Sequence, residues 1–484
     1  MLFENKIQSK NALFTVMYAF LFSYFLFNDL GIRYIYGYIV LGIILLILAW
    51  KSKFSVYFSS LKMLFLVMVG ATTVFSVLPN SNFNHLIISL MISMLMFTGY
   101  YIFTSPGIKS IKCFTVCLHI ISLLFSLYLF LVKIFPNFYW KYIYIHLGDV
   151  SKEFAAKFMP QGYGVTIGAS TTYAPYIIFI ALVFNVAYFL KINQSGSLKS
   201  KIFAYSSSVL YFGAIMLTNR RSEAIATAAT LFLMLVFSLN FKKRKDLLKK
   251  LVIGVSAVVV IVGVVFSLAS FGFLERYNDI LGFISQNMEI PEAPGIPGGE
   301  TNLDPEMGTE QGTEGIPKEE ITTNEVSSGR TDLWKKAYAL FRENPITGIG
   351  WEQFMNHNIY EHDVHNTYLQ WLCEVGIFGF IFLAVPMLLI CFSIFMQTLR
   401  FAKNDKVSDT AKYLNYVAIS MQAFYLFINF MDPAYYHLNF FCFYALSLIF
   451  ADTASKLEFM DTGVENDCLR RKFLPKIAKS KIFY

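Results

Sequence analysis

His362 and His365 stand three residues apart beside Glu361 and Asp363, and His365 opens the run His365-Asn366-Thr367-Tyr368-Leu369. Such a cluster admits three readings: a metal site, a solvated polar turn, or a histidine that moves protons near neutral pH. No zincin spacing and no compelling third ligand accompany the pair, so metal is the weakest of the three. A second group is the turn Thr218-Asn219-Arg220-Arg221-Ser222-Glu223, with adjacent guanidiniums between two apolar runs. These arginines snorkel to lipid phosphates or bridge to Glu223, or else grip a phosphate with two-pronged geometry. Arg330 is a third candidate, at the mouth of an expected helix whose positive N-terminus would face the same anion. All three groups border apolar segments, so a membrane must position them.

Composition agrees. Of 484 residues, 56% are hydrophobic, 17% aromatic and only 15% charged, which excludes an ordinary soluble domain. Runs long enough to cross about 30 Å of hydrocarbon fall at 12–27, 34–50, 57–78, 86–104, 113–134, 171–190, 202–218, 223–240, 251–273, 376–399, 413–431 and 435–451. The expectation is an all-α polytopic membrane protein with about twelve transmembrane helices. Lysines and arginines gather in alternate loops, as in Lys51/Lys53, Lys109/Lys112, Lys242-Lys243-Arg244-Lys245 and Arg400/Lys403, and at both ends of the chain. By the positive-inside rule those loops and both termini are cytoplasmic. Topology therefore accounts for the net charge of +8. The basic residues form no continuous soluble face, so no nucleic-acid partner is expected. The first apolar run lacks a small-residue cleavage site and reads as a retained span. Six cysteines show no disulfide framework or zinc pairing, and Cys113, Cys117 and His119 read as packing residues within a span.

Four regions follow: residues 1–273 with spans one to nine, a large extracytoplasmic loop at 274–373, spans ten to twelve within 374–451, and a basic cytoplasmic tail at 452–484. An earlier outer loop, 135–170, is aromatic. Within the large loop, 288–328 is rich in Pro, Gly, Glu and Thr and buries too little apolar area to order itself. Residues 329–373 are helical. Thr331 or Ser328 caps a helix from Asp332, with Leu333, Trp334, Ala337, Leu340 and Phe341 on one face. Asn344-Pro345 ends it and Gly348-Ile349-Gly350 turns the chain. A second helix starts near His365 or Asn366, and Gly376 and Gly379 allow it to bend or pack closely.

The motifs Arg221-Ser222, then Gly329-Arg330-x-x-x-Trp334 with Asn344-Pro345-Ile346-Thr347-Gly348-Ile349-Gly350, then His365-Asn366-x-Tyr368-Leu369 with Glu374-x-Gly376-x-x-Gly379, together resemble the O-antigen ligase and polymerase family of bacterial membrane proteins. The resemblance covers about residues 210–382. It implies a C-type glycosyltransferase-like fold in the cytoplasmic membrane, with the active site on the extracytoplasmic side. It implies a donor glycan on polyprenyl diphosphate, a glycan acceptor, and neither nucleotide sugar nor required metal. Other glycan-assembly membrane proteins are partners it allows. Carried over by position, Arg221 matches the family's arginine of the turn, Arg330 its loop arginine and His365 its loop histidine. The expectation is that His365 is the general base or orients the acceptor, that Arg221 and Arg330 clamp the diphosphate, and that Arg220, His362, Tyr368 and Asn366 contact substrate. Arg220 and Glu223 depart from the family pattern, where small residues are more usual, so the arginine doublet leaves open which member holds phosphate.

The residue chemistry stands beside this reading independently. A leaving diphosphate needs cations, and an acceptor hydroxyl needs a base. The leading expectation is a polysaccharide polymerase, the alternative a ligase that hands finished glycan to lipid A core or another acceptor. A lipid-linked oligosaccharide flippase also explains twelve spans, but transporters carry ionisable residues at mid-membrane, whereas Lys62 and Lys133 lie towards span ends.

Overall fold

The computed structural model describes residues 59–77, 108–147, 149–160, 163–164, 174–191, 198–238, 330–358, 362–404, 407–436 and 438–461, with single residues at 43, 47, 93, 263 and 268. Among them every regular element is helical: α1 (Ser60–Ser76), α2 (Ile108–Ile134), α3 (Pro136–Tyr142), α4 (Asp149–Phe158), α5 (Ala174–Lys191), α6 (Leu198–Leu217), α7 (Arg221–Ser238), α8 (Arg330–Glu343), α9 (Thr367–Lys403), α10 (Asp409–Met431) and α11 (Leu438–Asp461). Among the described residues, four segments are long and apolar enough to cross a membrane: Cys113–Ile134 within α2, then α6, α9 and α10. Eight of the twelve expected spans fall on described helices. Those at 12–27, 34–50, 86–104 and 251–273 lie outside the described residues apart from the five single positions, as does the whole 288–328 insertion.

α10 is the central helix. Leu414 through Gln422 are all buried, so it is covered on every side, as an interior helix must be. It packs on α5, α7, α9 and α11. Apolar contact alone does not select partners in lipid, and interhelical hydrogen bonds add register. Asn415 donates to Thr398 Oγ1 at 2.7 Å and Gln422 to Ser447 Oγ at 2.6 Å, while Asn185 on α5 donates to Ser207 on α6 at 2.9 Å.

α1 runs antiparallel to α11, and polar contacts mark both ends of the pair. Thr72 Oγ1 lies 2.6 Å from Tyr435 Oη at one end, and Lys62 Nζ meets Asp452 at 3.1 Å at the other. At that second end Arg400 of α9 also meets Glu458 at 2.6 Å. α11 thus continues past the expected boundary at 451, because ion pairs, the Lys62–Asp452 one buried, carry its charged last turns. His119 is a hydrogen-bonded core histidine as expected, with Nδ1 3.2 Å from Tyr211 Oη.

The loop helix α8 begins at Arg330, two residues earlier than a start at Asp332 would place it. Its apolar face, Leu333, Ala337 and Leu340, packs with Phe354, Val364 and Cys373, which clamps the large loop onto the start of α9. α9 is a merged helix. Gly376 has φ 64° and ψ −170°, a non-helical conformation that bends it one residue after Val375. The loop at 345–350 is moulded to that bend: Ile349 N and Gly350 N donate to Cys373 O and Glu374 O at 2.9 Å, and Ile377 N donates to Pro345 O at 2.9 Å. A Cβ at Gly376 would sit 2.2 Å from Ile346 O, and one at Gly348 (φ 70°) 2.3 Å from Glu374 C. Only glycine allows so close a backbone approach at positive φ.

Candidate functional site

Four chain segments meet at the loop end of the bundle. The first is the turn between α6 and α7. Asn219, buried, takes φ 53°, a left-handed conformation that asparagine tolerates better than most residues. This reverses the chain so that Arg220 lies just before α7. Gly164 of the 135–170 loop seats on the turn, its N donating to Thr218 O at 3.3 Å. A Cβ there would lie 2.7 Å from Leu217 O.

The second segment is the start of α8, where Arg330 is the first helical residue. The third is the stretch before α9, anchored by Trp334 of α8, whose indole Nε1 donates to Val364 O at 3.0 Å. The next residue, His365, has φ 53°. Asn366 then caps α9, with Oδ1 accepting from Tyr368 N and Leu369 N at 3.0 Å each. Left-handed backbone at a bulky residue costs on the order of 1–3 kcal/mol and persists only where surroundings enforce it. Here the Val364 anchor and the Asn366 cap enforce it from either side.

The fourth segment is the turn after α10. Asp432, 4% exposed, is where the others converge. His365 Nδ1 lies 3.3 Å from its Oδ1, Arg330 Nη2 lies 3.7 Å from the same oxygen, and Arg220 Nη2 lies 3.4 Å from Oδ2. Its backbone is fixed too, with N donating to Ile428 O at 2.8 Å and O accepting from Thr367 Oγ1 at 3.2 Å. Burial pushes this carboxyl up, but the His365 hydrogen bond and the charges of Arg220 and Arg330 outweigh it and hold it below the ordinary carboxylate range. Arg220 has a second carboxylate. Its Nε meets fully buried Glu223 at 2.7 Å, whose other oxygen accepts from Ser222 Oγ at 2.7 Å.

The expected site residues are therefore sorted by geometry. His365, Arg330 and Arg220 come together. Arg221 opens α7 and is half-buried; Arg220 is the member of the doublet with an ion pair to Asp432. His362 is exposed, its ring centroid 6.3 Å from that of His365. Asn366 engages both ends of its amide with protein, since Nδ2 donates to Phe430 O at 3.3 Å. Tyr368 packs on Phe430 at 4.6 Å and donates to Leu426 O at 3.4 Å. Both hold α9 to α10. Among the described residues no group of three His, Cys, Asp or Glu side chains could hold a metal ion.

Asp432 is the participant that the sequence reading left without a role, while the bridge to Glu223 offered there as one reading of the arginine turn is made by Arg220. The legible signal for Asp432 was a lone carboxylate in the short turn Met431-Asp432-Pro433, on the side of the membrane expected for the three cations.

The arrangement defines a helical membrane protein with a histidine–carboxylate pair and half-buried arginines at one end of its bundle. The family model described as O-antigen ligase matches residues 206–384, from α6 through the loop helix α8 to the first half of α9. Over those residues the chain is similar to the O-antigen ligase/polymerase family, whose members are glycosyltransferase-like enzymes of glycan assembly. No curated protein matches the chain. The matched segment holds His365, Arg220, Arg221 and Arg330; Asp432 lies beyond it and is brought in by α10.

Proposed function

We propose that the protein is a polysaccharide polymerase that transfers glycan from a polyprenyl-diphosphate carrier to a sugar hydroxyl of a lipid-linked acceptor, at the outer face of a bacterial cytoplasmic membrane. The observation that carries this reading is the His365–Asp432 pair. With Nδ1–H donated to the carboxylate, Nε2 is the free basic nitrogen, aimed away from Asp432.

In the proposed step the acceptor oxygen attacks the anomeric carbon of the donor sugar as its proton passes to His365 Nε2. The bond from that carbon to the phosphate oxygen breaks, and its electron pair leaves with polyprenyl diphosphate. Asp432 stabilises the imidazolium that forms. Arg330, a third exposed and beside the helix N-terminus, neutralises charge growing on the leaving group, with Arg221 a further candidate at the neighbouring turn. One such electrostatic donor contributes about 10²–10³ in rate and a positioned base about 10²–10⁴. The donor bond is already activated, so this scheme needs neither ATP nor a metal.

The test is transfer in membranes carrying the native lipid-linked donor. His365→Gln and Arg330→Gln are expected to lose at least about a hundredfold in rate at normal expression. Wild-type rates in both sink the proposal. Deletion separates polymerase from ligase: single-repeat surface chains support the polymerase, whereas full-length glycan left on the carrier assigns the ligase instead.

A further inference from the structure

The arginine doublet has two members and one turn, and the structure divides them. We infer that Arg220 is a positioning residue, which together with Glu223 holds Asp432 against His365 and does not bind the substrate diphosphate. This rests on the reading of His365 as the base.

The argument begins with guanidinium geometry. Arginine offers donors along its edges in a fixed planar fork. Arg220 presents Nε to Glu223 Oε1 at 2.7 Å and Nη2 to Asp432 Oδ2 at 3.4 Å. Both carboxylates are buried, at 0% and 6% side-chain exposure, and Arg220 itself is 18% exposed. A diphosphate taking Arg220 would strand one of those carboxylates without its cation, the costly way to break a buried pair. Arg330 at 34% faces solvent more and meets Asp432 only at 3.7 Å, so it can turn outward without stranding a buried partner of its own.

The surroundings fit a fixed strut. The turn is locked by left-handed Asn219 and by the Gly164–Thr218 contact. Charge then alternates along one line: Glu223, Arg220, Asp432, His365. Arg220 draws on Oδ2 of Asp432 while His365 uses Oδ1, so each oxygen has its own role and the carboxylate cannot rotate without breaking both contacts.

The experiment compares Arg220→Gln, Arg220→Lys, Glu223→Gln, Arg330→Gln and His365→Gln as full-length purified proteins. It measures kcat and donor KM for glycan transfer, and binding of farnesyl diphosphate as a probe of the diphosphate site. Arg220→Gln and Glu223→Gln are expected to lose about tenfold or more in kcat while donor KM and farnesyl diphosphate Kd stay within about twofold. Arg220→Lys recovers part of kcat because it returns the charge to Asp432. Arg330→Gln weakens farnesyl diphosphate about tenfold. Should Arg220→Gln fail to fold, Glu223→Gln and Arg220→Lys carry the same kcat-against-KM comparison. A tenfold loss of farnesyl diphosphate binding in Arg220→Lys or Glu223→Gln, with kcat intact, overturns the inference. Wild-type turnover in His365→Gln overturns the underlying reading instead, and is distinguishable because it leaves the Arg220 binding results standing.

Discussion

Asp432→Asn is the most exacting perturbation of the site, because it removes a charge and keeps the shape. The carboxylate touches His365 at 3.3 Å, Arg220 at 3.4 Å and Arg330 at 3.7 Å, and the three losses differ in weight. The Arg330 pair is a third exposed on the arginine side and contributes at most about 1 kcal/mol. Arg220 retains Glu223, so its charge is not stranded. Truncating one partner of a buried charge pair costs about 2–5 kcal/mol, and these two cushions place Asp432→Asn at the lower end, about 2–3 kcal/mol. The folded protein therefore survives, and the rate reports chemistry. An asparagine cannot stabilise the imidazolium, and its amide offers His365 a donor as readily as an acceptor, so the productive tautomer is no longer fixed. Losses of this kind run to about 10²–10⁴ in rate, or about 3–5.5 kcal/mol in the barrier. The assay is single-turnover transfer from the native lipid-linked donor, with protein level and monodispersity matched. The expected result is kcat down at least about a hundredfold with donor KM within about threefold. A kcat within about threefold of wild type refutes the role of Asp432 and, with it, the orientation argued for His365.

Three further outcomes follow from the geometry. Because the folded-state value of Asp432 is depressed below 3.8, its stabilising contribution is complete above that pH region and is lost as pH falls through the depressed value; the stability gap between wild type and Asp432→Asn should be constant from about pH 5 to 8 and shrink below about pH 4, read by thermal unfolding in detergent. Gly376→Ala should cost at least about 1–3 kcal/mol, since an alanine there carries both positive φ and a Cβ 2.2 Å from Ile346 O; wild-type thermal stability would contradict the moulded bend. At the far end of the bundle, Lys62→Met leaves Asp452 buried without its ion-pair partner on α1 and should cost about 3–5 kcal/mol, whereas Lys62→Met with Asp452→Leu should recover most of it; equal stability of single and double variants would show that the pair does not hold α1 to α11.

Helix existence was legible in the sequence wherever the signal was local. The span expected at 413–431 is α10, Asp409–Met431, with the extra turn supplied by Ser408, whose Oγ accepts from Ala411 N at 3.3 Å. The stop at Asn344-Pro345, the Gly348 turn and the bend at Gly376 were likewise readable, because each is written in residues whose backbone preferences are strong. Hydropathy misjudged ends that charge completes: α11 runs to Asp461 because Asp452 and Glu458 find Lys62 and Arg400. The site was legible only as separate cations. What assembles them is a carboxylate 67 residues from His365 and 212 from Arg220, in a turn too short to carry any motif of its own. Nothing local distinguishes Asp432 from a capping or solvated aspartate. The cations themselves held the missing information. Arginines and a histidine gathered at one end of an apolar bundle repel one another, and the buried ones need an anion that the protein must supply. Searching the same-side turns for that anion would have singled out Asp432, and the same reasoning gives Glu223 to Arg220. A membrane site is thus better read from its charge balance than from its catalytic residue types alone.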